Sequence, residues 1–401
     1  MRFTIVFNWG MSSFIGWGVY GLNLAFHWAR DPELRLLCST AVNPARIQLD
    51  PARRALVDRV LRDSAGLLER LHAASGHAVK IDATVLTALG NGFATVLSAH
   101  NTQIRGSANI GVGFLEDTRI EAPARERAKQ YDLLVAGSHW GRDMLAAKGI
   151  APVVAVAQGI DPSLFHPAPR AGRFHDRFTV FSGGKLEFRK AQDLVLLGFR
   201  AFAERHPDAL LIAAWHAPWS SAARDPFAGD WVAPLPLGRE GRPDIAAWVA
   251  ANGIEPENFL DLGAVPNAQM AAIYREADLA LFPNRCEAGT NLVAMECMAC
   301  GVPAILAANT GQLDLIEGEN CYALGRQAPV APRPEIGTEG WGESDVEEIL
   351  DCLERAYADR ADAARRGRQG AERMAQFGWA EQTAALKRAI RPYLKAPATT
   401  S

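Results

Sequence analysis

The sequence is poor in cysteine, carries almost no net charge and has no apolar run long enough to span a bilayer. Six cysteines stand at positions 38, 286, 297, 300, 321 and 352 of 401 residues. That density excludes a disulfide-stapled scaffold. Cys297 and Cys300 form a C-x-x-C, but no second pair or histidine pair accompanies them. No metal ligands are therefore expected, and the cysteines read as small helix-packing residues in a reducing compartment. The 42 basic and 45 acidic residues leave a net charge of −3. A protein that neutralises many duplex phosphates carries a basic excess, so nucleic acid is not an expected partner. No 20–50-residue repeat is visible. Formal charge is also absent between Arg2 and Arg30, but four glycines and several polar residues interrupt that stretch. It lacks a small-x-small cleavage site and falls short of the roughly 18 uninterrupted apolar residues a spanning helix needs. A soluble, cytoplasmic chain is expected.

What is present is an α/β pattern. FTIVF (3–7), a Gly-rich turn and an apolar segment to about Trp28 read as strand, loop and buried helix. Residues 50–75 read as an amphipathic helix of mixed charge. Its expected role is a solvated face, with a weak peripheral membrane contact as the alternative. Apolar runs at 83–89, 94–99, 108–115, 132–138 and 152–157 read as further strands. A Pro-rich linker covers 161–173, and the cycle restarts with strands near 178–184, 208–215, 258–265, 278–284 and 303–309. The final stretch, 344–395, reads as helical. Alternating strands and helices predict two Rossmann-like domains with parallel sheets, facing across a cleft. The expected boundaries are 1–165 and 174–375, with 376–401 packing back on the first domain.

Two constellations could carry chemistry. In FSGGKLEFRKAQD (181–193), Gly183 and Gly184 end a strand, and Lys185 and Lys190 follow. Glycines allow close approach to a ligand, and two cations at a helix start suit a diphosphate. The bland alternative is a solvated basic turn. In NRCEAGTNLVAMECMACGVP (284–303), Glu287 precedes a turn through Gly289, Thr290, Asn291 and Leu292 that opens a helix. Backbone amides there would point at an anion. Glu296 falls among apolar helix residues and needs a partner, either vicinal ribose hydroxyls or an internal salt bridge.

These segments resemble the retaining glycosyltransferases of family 4, with the GT-B fold. Lys185 and Lys190 match the cations of that family's G-[RK]-L-x-x-x-K segment, which grips the diphosphate of a nucleotide-sugar. Glu296, followed by Met298, Ala299, Cys300, Gly301 and Pro303, matches the second glutamate of its E-x7-E region, which holds the ribose. The first family glutamate would fall at Ala288, so Glu287 is one residue out of register as the sugar contact. The stretch around Gly263–Val265 resembles the backbone that holds the nucleobase, and 159–167 and 377–386 resemble the linker and the crossing helix. The resemblance implies a catalytic group at the end of an N-domain strand: Glu116, with His100 as the alternative. His216 is a further candidate on the sugar side. The NWGMSSFIGWG loop would cover the diphosphate or acceptor through Gly16, with Trp9 and Trp17 stacking on a sugar.

The implied activity is metal-independent transfer of a sugar, with retention, from a UDP- or GDP-type donor to a glycan, lipid-linked or small-molecule acceptor. No cofactor is expected, since the nucleotide-sugar is a substrate. Binding of a nucleotide-sugar without transfer is the alternative. A nicotinamide-dependent oxidoreductase is the distant one, because Gly16-x-Gly18-x-x-Gly21 starts well past the end of the first strand.

Overall fold

The computed structural model describes residues 2–74, 76–95, 104–215, 227, 231–238 and 241–395. The first domain runs β1 (Phe3–Phe7), α1 (Gly16–Trp28), β2 (Leu34–Cys38), α2 (Pro51–Ala74), β3 (Val79–Lys80), β4 (Thr84–Leu89), β5 (Ile104–Arg105), β6 (Ala108–Gly113), α3 (Ala122–Ala128), β7 (Leu133–Ala136), α4 (His139–Ala147) and β8 (Val153–Ala155). Its main sheet has the order β2-β1-β4-β6-β7-β8, and every pair in it is parallel. In β1, Ile5 and Phe7 enter one apolar cluster and Val6 enters another. Side chains alternate along a strand, so the consecutive apolar residues Ile5, Val6 and Phe7 bury both of its faces. That is why this strand carries no charge.

The uncharged helix α1 is buried at nine of its 13 positions. A Cβ on Gly18 would sit 2.5 Å from Ser12 Cβ. Gly18 therefore serves the close packing of α1 on the preceding loop, inside the helix, and not the tight turn a dinucleotide fingerprint requires. Strand β2 was not anticipated: LRLLC is too short for periodicity to distinguish a strand from the end of a helix. The expected strand at 94–99 lies largely outside the described residues.

The second domain runs β9 (Phe178–Gly183), α5 (Gln192–Ala203), β10 (Ala209–Ala214), α6 (Ile245–Ala251), β11 (Phe259–Asp261), α7 (Asn267–Tyr274), β12 (Leu279–Phe282), α8 (Leu292–Ala299), β13 (Ala304–Ala307), β14 (Tyr322–Leu324), the hairpin strands β15 (Gln327–Pro329) and β16 (Gly342–Ser344), α9 (Val346–Ala358), α10 (Arg360–Met374) and α11 (Trp379–Ile390). Its sheet, β11-β10-β9-β12-β13-β14, is parallel and follows the 3-2-1-4-5-6 order of a doubly wound fold. β14 and the hairpin were also unread in the sequence. All six cysteines are buried and free, with Cys297 within α8 and Cys300 at its end.

Helix α11 crosses back to the first domain. Trp379, Leu386 and Ile390 join the core built around β1 and α1. Trp379 packs on Tyr20, with ring centroids 5.3 Å apart, and Lys387 pairs with Asp31 and Glu33 at 2.6 and 2.7 Å. The chain before the linker docks on the start of this helix: Trp379 N donates to Ile160 O at 3.0 Å. A Cβ on Gly159 would meet the Trp379 backbone at 2.7 Å. Among the described residues, no helix is long and apolar enough to cross a membrane.

Gly159→Ala should destabilise the chain by about 1–3 kcal/mol through overpacking against α11. Gly66→Ala, in an exposed part of α2 where a Cβ meets nothing within 4 Å, should instead stabilise it by about 0.5–1 kcal/mol. Urea denaturation of the two variants gives both signs. Equal effects would contradict the packing described.

Candidate functional site

A parallel sheet presents a crevice at its carboxyl edge where the strand order reverses. In the second domain that point lies between β9 and β12. Both charged motifs follow those two strands. Gly184 has φ +135°, a conformation open to glycine, and the stem of Lys190 lies against it. A short turn, 188–190, then feeds α5.

That turn is held by a buried arginine that sequence reasoning missed. Arg285 is 2% exposed and grips Asp193 of α5 in bidentate fashion, at 2.9 and 2.6 Å. Its Nε reaches Glu343 at 2.6 Å, and its guanidinium lies over the Phe188 ring at 4.1 Å. The amides of Arg285 and Cys286 donate to Arg189 O at 2.8 and 3.2 Å. The 284–287 segment is thereby clipped to the 188–190 turn.

The clip assembles a compact charge cluster. Lys190 Nζ and Asn284 Nδ2 both bond to Glu287 Oε1. Arg189 extends to three carboxylates: Nη1 to Glu287 at 3.2 Å, Nη2 to Glu187 at 2.7 Å and Nε to Glu116 at 3.3 Å. Lys185 lies 3.4 Å from Glu187. Burial pushes Glu287 up, but Lys190 and Arg189 outweigh it and hold the carboxyl below its ordinary value. Burial also pushes Glu187 up, yet Arg189, Lys185 and Lys190 draw it down to about 2. For Glu116 the balance is reversed: burial raises it, and Arg189 offsets only part of that rise.

The structure thus brings Glu116, Lys185, Lys190 and Glu287 together. Glu116 follows β6 in the first domain, so its pairing with Arg189 crosses the cleft. Arg189, Glu187 and Asn284 were not singled out beforehand. Only the spacing of Arg189 beside Lys190 hinted at a role, and sequence does not show where a side chain turns.

The second motif also faces the cleft. Asn291, at φ 60°, caps α8 and accepts from Ala294 N, while its buried Nδ2 has no partner among the described residues. The backbone N–H groups of Gly289, Thr290 and Leu292 donate to no acceptor among the described residues. Thr290 is fully buried, with its hydroxyl 3.0 Å from Met295 Sδ. The turn lies directly under the first domain. Ser138 Oγ donates to Ala288 O at 2.8 Å, and a Cβ on Gly289 would strike Phe114 at 2.9 Å. Leu292 packs on the first-domain core, and Val265 on the core beneath α8.

Glu296 is 3% exposed. The internal salt bridge offered as one alternative does not form: no basic side chain pairs with it among the described residues. Its oxygens accept from two neutral donors, Asn267 Nδ2 at 2.6 Å and Tyr274 OH at 2.9 Å. Burial lifts its pKa to about 7, and the two hydrogen bonds pull back only part of that.

The Gly-rich loop departs from expectation in one respect. Trp9 is wholly buried against Phe7, Trp17 and Tyr20, so it offers no face to a sugar. Its place directly after an internal strand puts it in the core. Trp17 is half-buried, stacked on Tyr20 and edge-on to Phe114. Gly16 is exposed at the start of α1, with only Gln158 near. Ser13 O accepts from Asn267 N at 2.7 Å and ties this loop to the second domain. His100 and His216 lie outside the described residues.

Comparison with known proteins accords with this geometry. Sucrose-phosphate synthase from Thermosynechococcus elongatus superimposes with a TM-score of 0.63 at 17% identity, over 98% of this chain and 99% of that one. HepE from Anabaena, in complex with UDP-glucose, superimposes with a TM-score of 0.60 at 12% identity, over 98% and 100%. Two parallel doubly wound domains whose carboxyl edges meet across a charged cleft define the chain as a GT-B protein.

Residues 239–386 match the family described as "Family 4 Glycosyltransferase in conflict systems". D-inositol 3-phosphate glycosyltransferase 1 of Catenulispora acidiphila is 28% identical over 266 residues, covering 62% of this chain and 54% of that protein. The GDP-mannose-dependent alpha-(1-6)-phosphatidylinositol dimannoside mannosyltransferase of Mycobacterium tuberculosis is 23% identical over 236 residues, covering 57% and 55%. The chain spans about half the length of these curated relatives. Over residues 239–386 its second domain is similar to the family 4 glycosyltransferases.

Two outcomes follow from the buried charges. Arg285→Met should cost about 3–5 kcal/mol by stranding Asp193, and Arg285→Met with Asp193→Leu should recover part of the loss; additive losses on urea denaturation would show the pair to be uncoupled. Glu296 titrates at about 7 when folded, against the ordinary 4.5. Both states are protonated below about pH 4.5, the penalty grows as pH rises towards 7, and it is complete above that. Glu296→Gln should therefore gain on the order of 3 kcal/mol relative to the parent between pH 4.5 and 8. A pH-independent difference would sink this.

Proposed function

We propose that the chain transfers a sugar from a nucleoside-diphosphate sugar to a hydroxyl acceptor, with retention of configuration and without a metal ion. The observation that carries this reading is the convergence of Lys185, Lys190 and the amides that open α8 at the switch point between β9 and β12. Together they offer positive charge and oriented donors to one diphosphate. Charge grows on that group as the glycosidic bond breaks, so these donors act most strongly in the transition state. The two lysines take the electrostatic role a metal ion would otherwise have. In this reading the diphosphate accepts the acceptor's proton, while Glu116 and Glu287 flank the sugar from opposite domains. In this reading Glu296 holds the ribose and the backbone near Gly263–Val265 the base. For Glu296 this requires Asn267 or Tyr274 to share or yield an oxygen. Contact of the domains through Ser138, Phe114 and the Gly289 turn would exclude water and suppress hydrolysis of the donor.

The named activities of the relatives support a UDP- or GDP-type donor and a glycan, lipid-linked or small-molecule acceptor. A thermal-shift panel of UDP-, GDP- and ADP-sugars selects the donor, and release of nucleoside diphosphate from that donor reports turnover. Lys185→Ala and Lys190→Ala should each reduce turnover by about 10²–10³-fold. Activity should persist in EDTA, and NMR of the product should show the donor's anomeric configuration. Parent-like turnover in both lysine variants would remove the assignment. A thermal shift without turnover would favour binding without transfer.

A further inference from the structure

We propose that Arg189 is the positioning residue that holds the two cleft carboxylates, Glu116 of the first domain and Glu287 of the second, in one fixed arrangement, so that meeting of the domains and assembly of the site are a single event. This rests on the transferase reading and concerns a residue outside the lysine motif.

The geometry uses a property lysine lacks. A guanidinium presents donors in a rigid planar fork, and here each nitrogen serves a different carboxylate: Nε Glu116, Nη1 Glu287 and Nη2 Glu187. A lysine ammonium is a single point and cannot hold three separated groups in one plane. The fork is itself anchored, because Arg189 O accepts from the amides of both Arg285 and Cys286. Arg285 in turn is fixed by its bidentate grip on Asp193.

Glu116 is held from the second domain at its backbone as well as its side chain. Trp341 Nε1 donates to Glu116 O at 3.1 Å. The next residues continue the join: Thr118 N donates to Gly337 O at 3.1 Å, and Gly337 N to Asp117 Oδ1 at 2.8 Å. The connection between β15 and β16 thus straps the segment after β6, and Arg189 meets its carboxylate from the other side. Within its own domain Glu116 N donates to Asn91 Oδ1 at 2.9 Å, but its carbonyl and its carboxylate are met from the second domain, by Trp341 and Arg189.

The side chains of Glu116, Arg189 and Glu287 are 15%, 13% and 6% exposed. Such a dry site leaves little solvent to screen a misplaced charge. The charged groups facing Arg189 are Glu116, Glu187 and Glu287, with Lys185 and Lys190 on its own turn and the buried Cys286 thiol behind it. Lys185 and Lys190 would remain for the diphosphate without Arg189, so its loss should act on turnover more than on donor binding.

The test uses the full chain and the nucleotide-sugar chosen by thermal shift, with nucleoside diphosphate release as the assay. Arg189→Lys keeps the charge and loses the fork; Arg189→Gln loses both. Each should lower kcat by about 100-fold, the scale of an ångström-sized misplacement, with KM for the donor within about threefold of the parent. In Arg189→Gln the pH–rate profile should also move to higher pH, because Glu116 loses the opposite charge that restrains its rise. Arg189→Lys should move it less. Glu116→Gln with Arg189→Gln should cost no more than the worse single variant. Loss of kcat with an unmoved pH profile, or additive losses, would reduce Arg189 to a structural pair and overturn the inference. An effect confined to donor KM would overturn it too. Should Arg189→Gln not fold, the kcat, KM and pH profile of Arg189→Lys decide alone. Failure of the parent to bind any nucleoside diphosphate would instead overturn the transferase reading.

Discussion

Much of the second domain's cleft face depends on the Arg285–Asp193 pair. Two charges with side chains only 2% and 3% exposed survive away from water because their geometry is bidentate and their remaining donors are used. The pair joins the loop after β12 to the first turn of α5, and so presses two separate motifs into one constellation. Without that clip, Lys190, Arg189 and Glu287 would be three charges on two independent loops. With it, each becomes a condition for burying the others.

The second organising fact is that the cluster is completed by the other domain. Glu116 enters from the end of β6, and the Ser13 carbonyl reaches Asn267, whose side chain holds Glu296. Contacts at Ser138 and Phe114 cover the turn that opens α8. A charge network and a hydrogen-bond chain therefore both run across the cleft. Opening it would expose charges that have no full complement on either side alone.

Much of this could be read beforehand, because the signals were local. Alternation of strands and helices, the Pro-rich linker and the glycines after β9 each depend on neighbouring residues, and they predicted two doubly wound domains. Lys185, Lys190 and Glu287 could be singled out because charged residues beside glycine turns at strand ends are conspicuous, whereas Glu116 was singled out through the family resemblance. Strands β2 and β14 and the β15–β16 hairpin were not legible, being too short for any period to show. The role of Trp9 was misread because an aromatic beside glycines looks exposed until the sheet above it is known.

The sequence by itself determined the architecture and the chemical types available at the crevice, because hydrophobic period and turn residues act over a few positions. Only the tertiary structure decided which charges meet. Arg189 and Arg285 are unremarkable in a chain with 42 basic residues. One faces three carboxylates and the other is sealed beneath them, and apart from Glu187 those partners are remote in sequence, 58 residues for Glu343, 92 for Asp193 and 98 for Glu287. The same holds for Glu296, whose donors come from the start and end of α7. Long-range juxtaposition in a dry cleft turns ordinary ionisable residues into a site, and no local pattern encodes it.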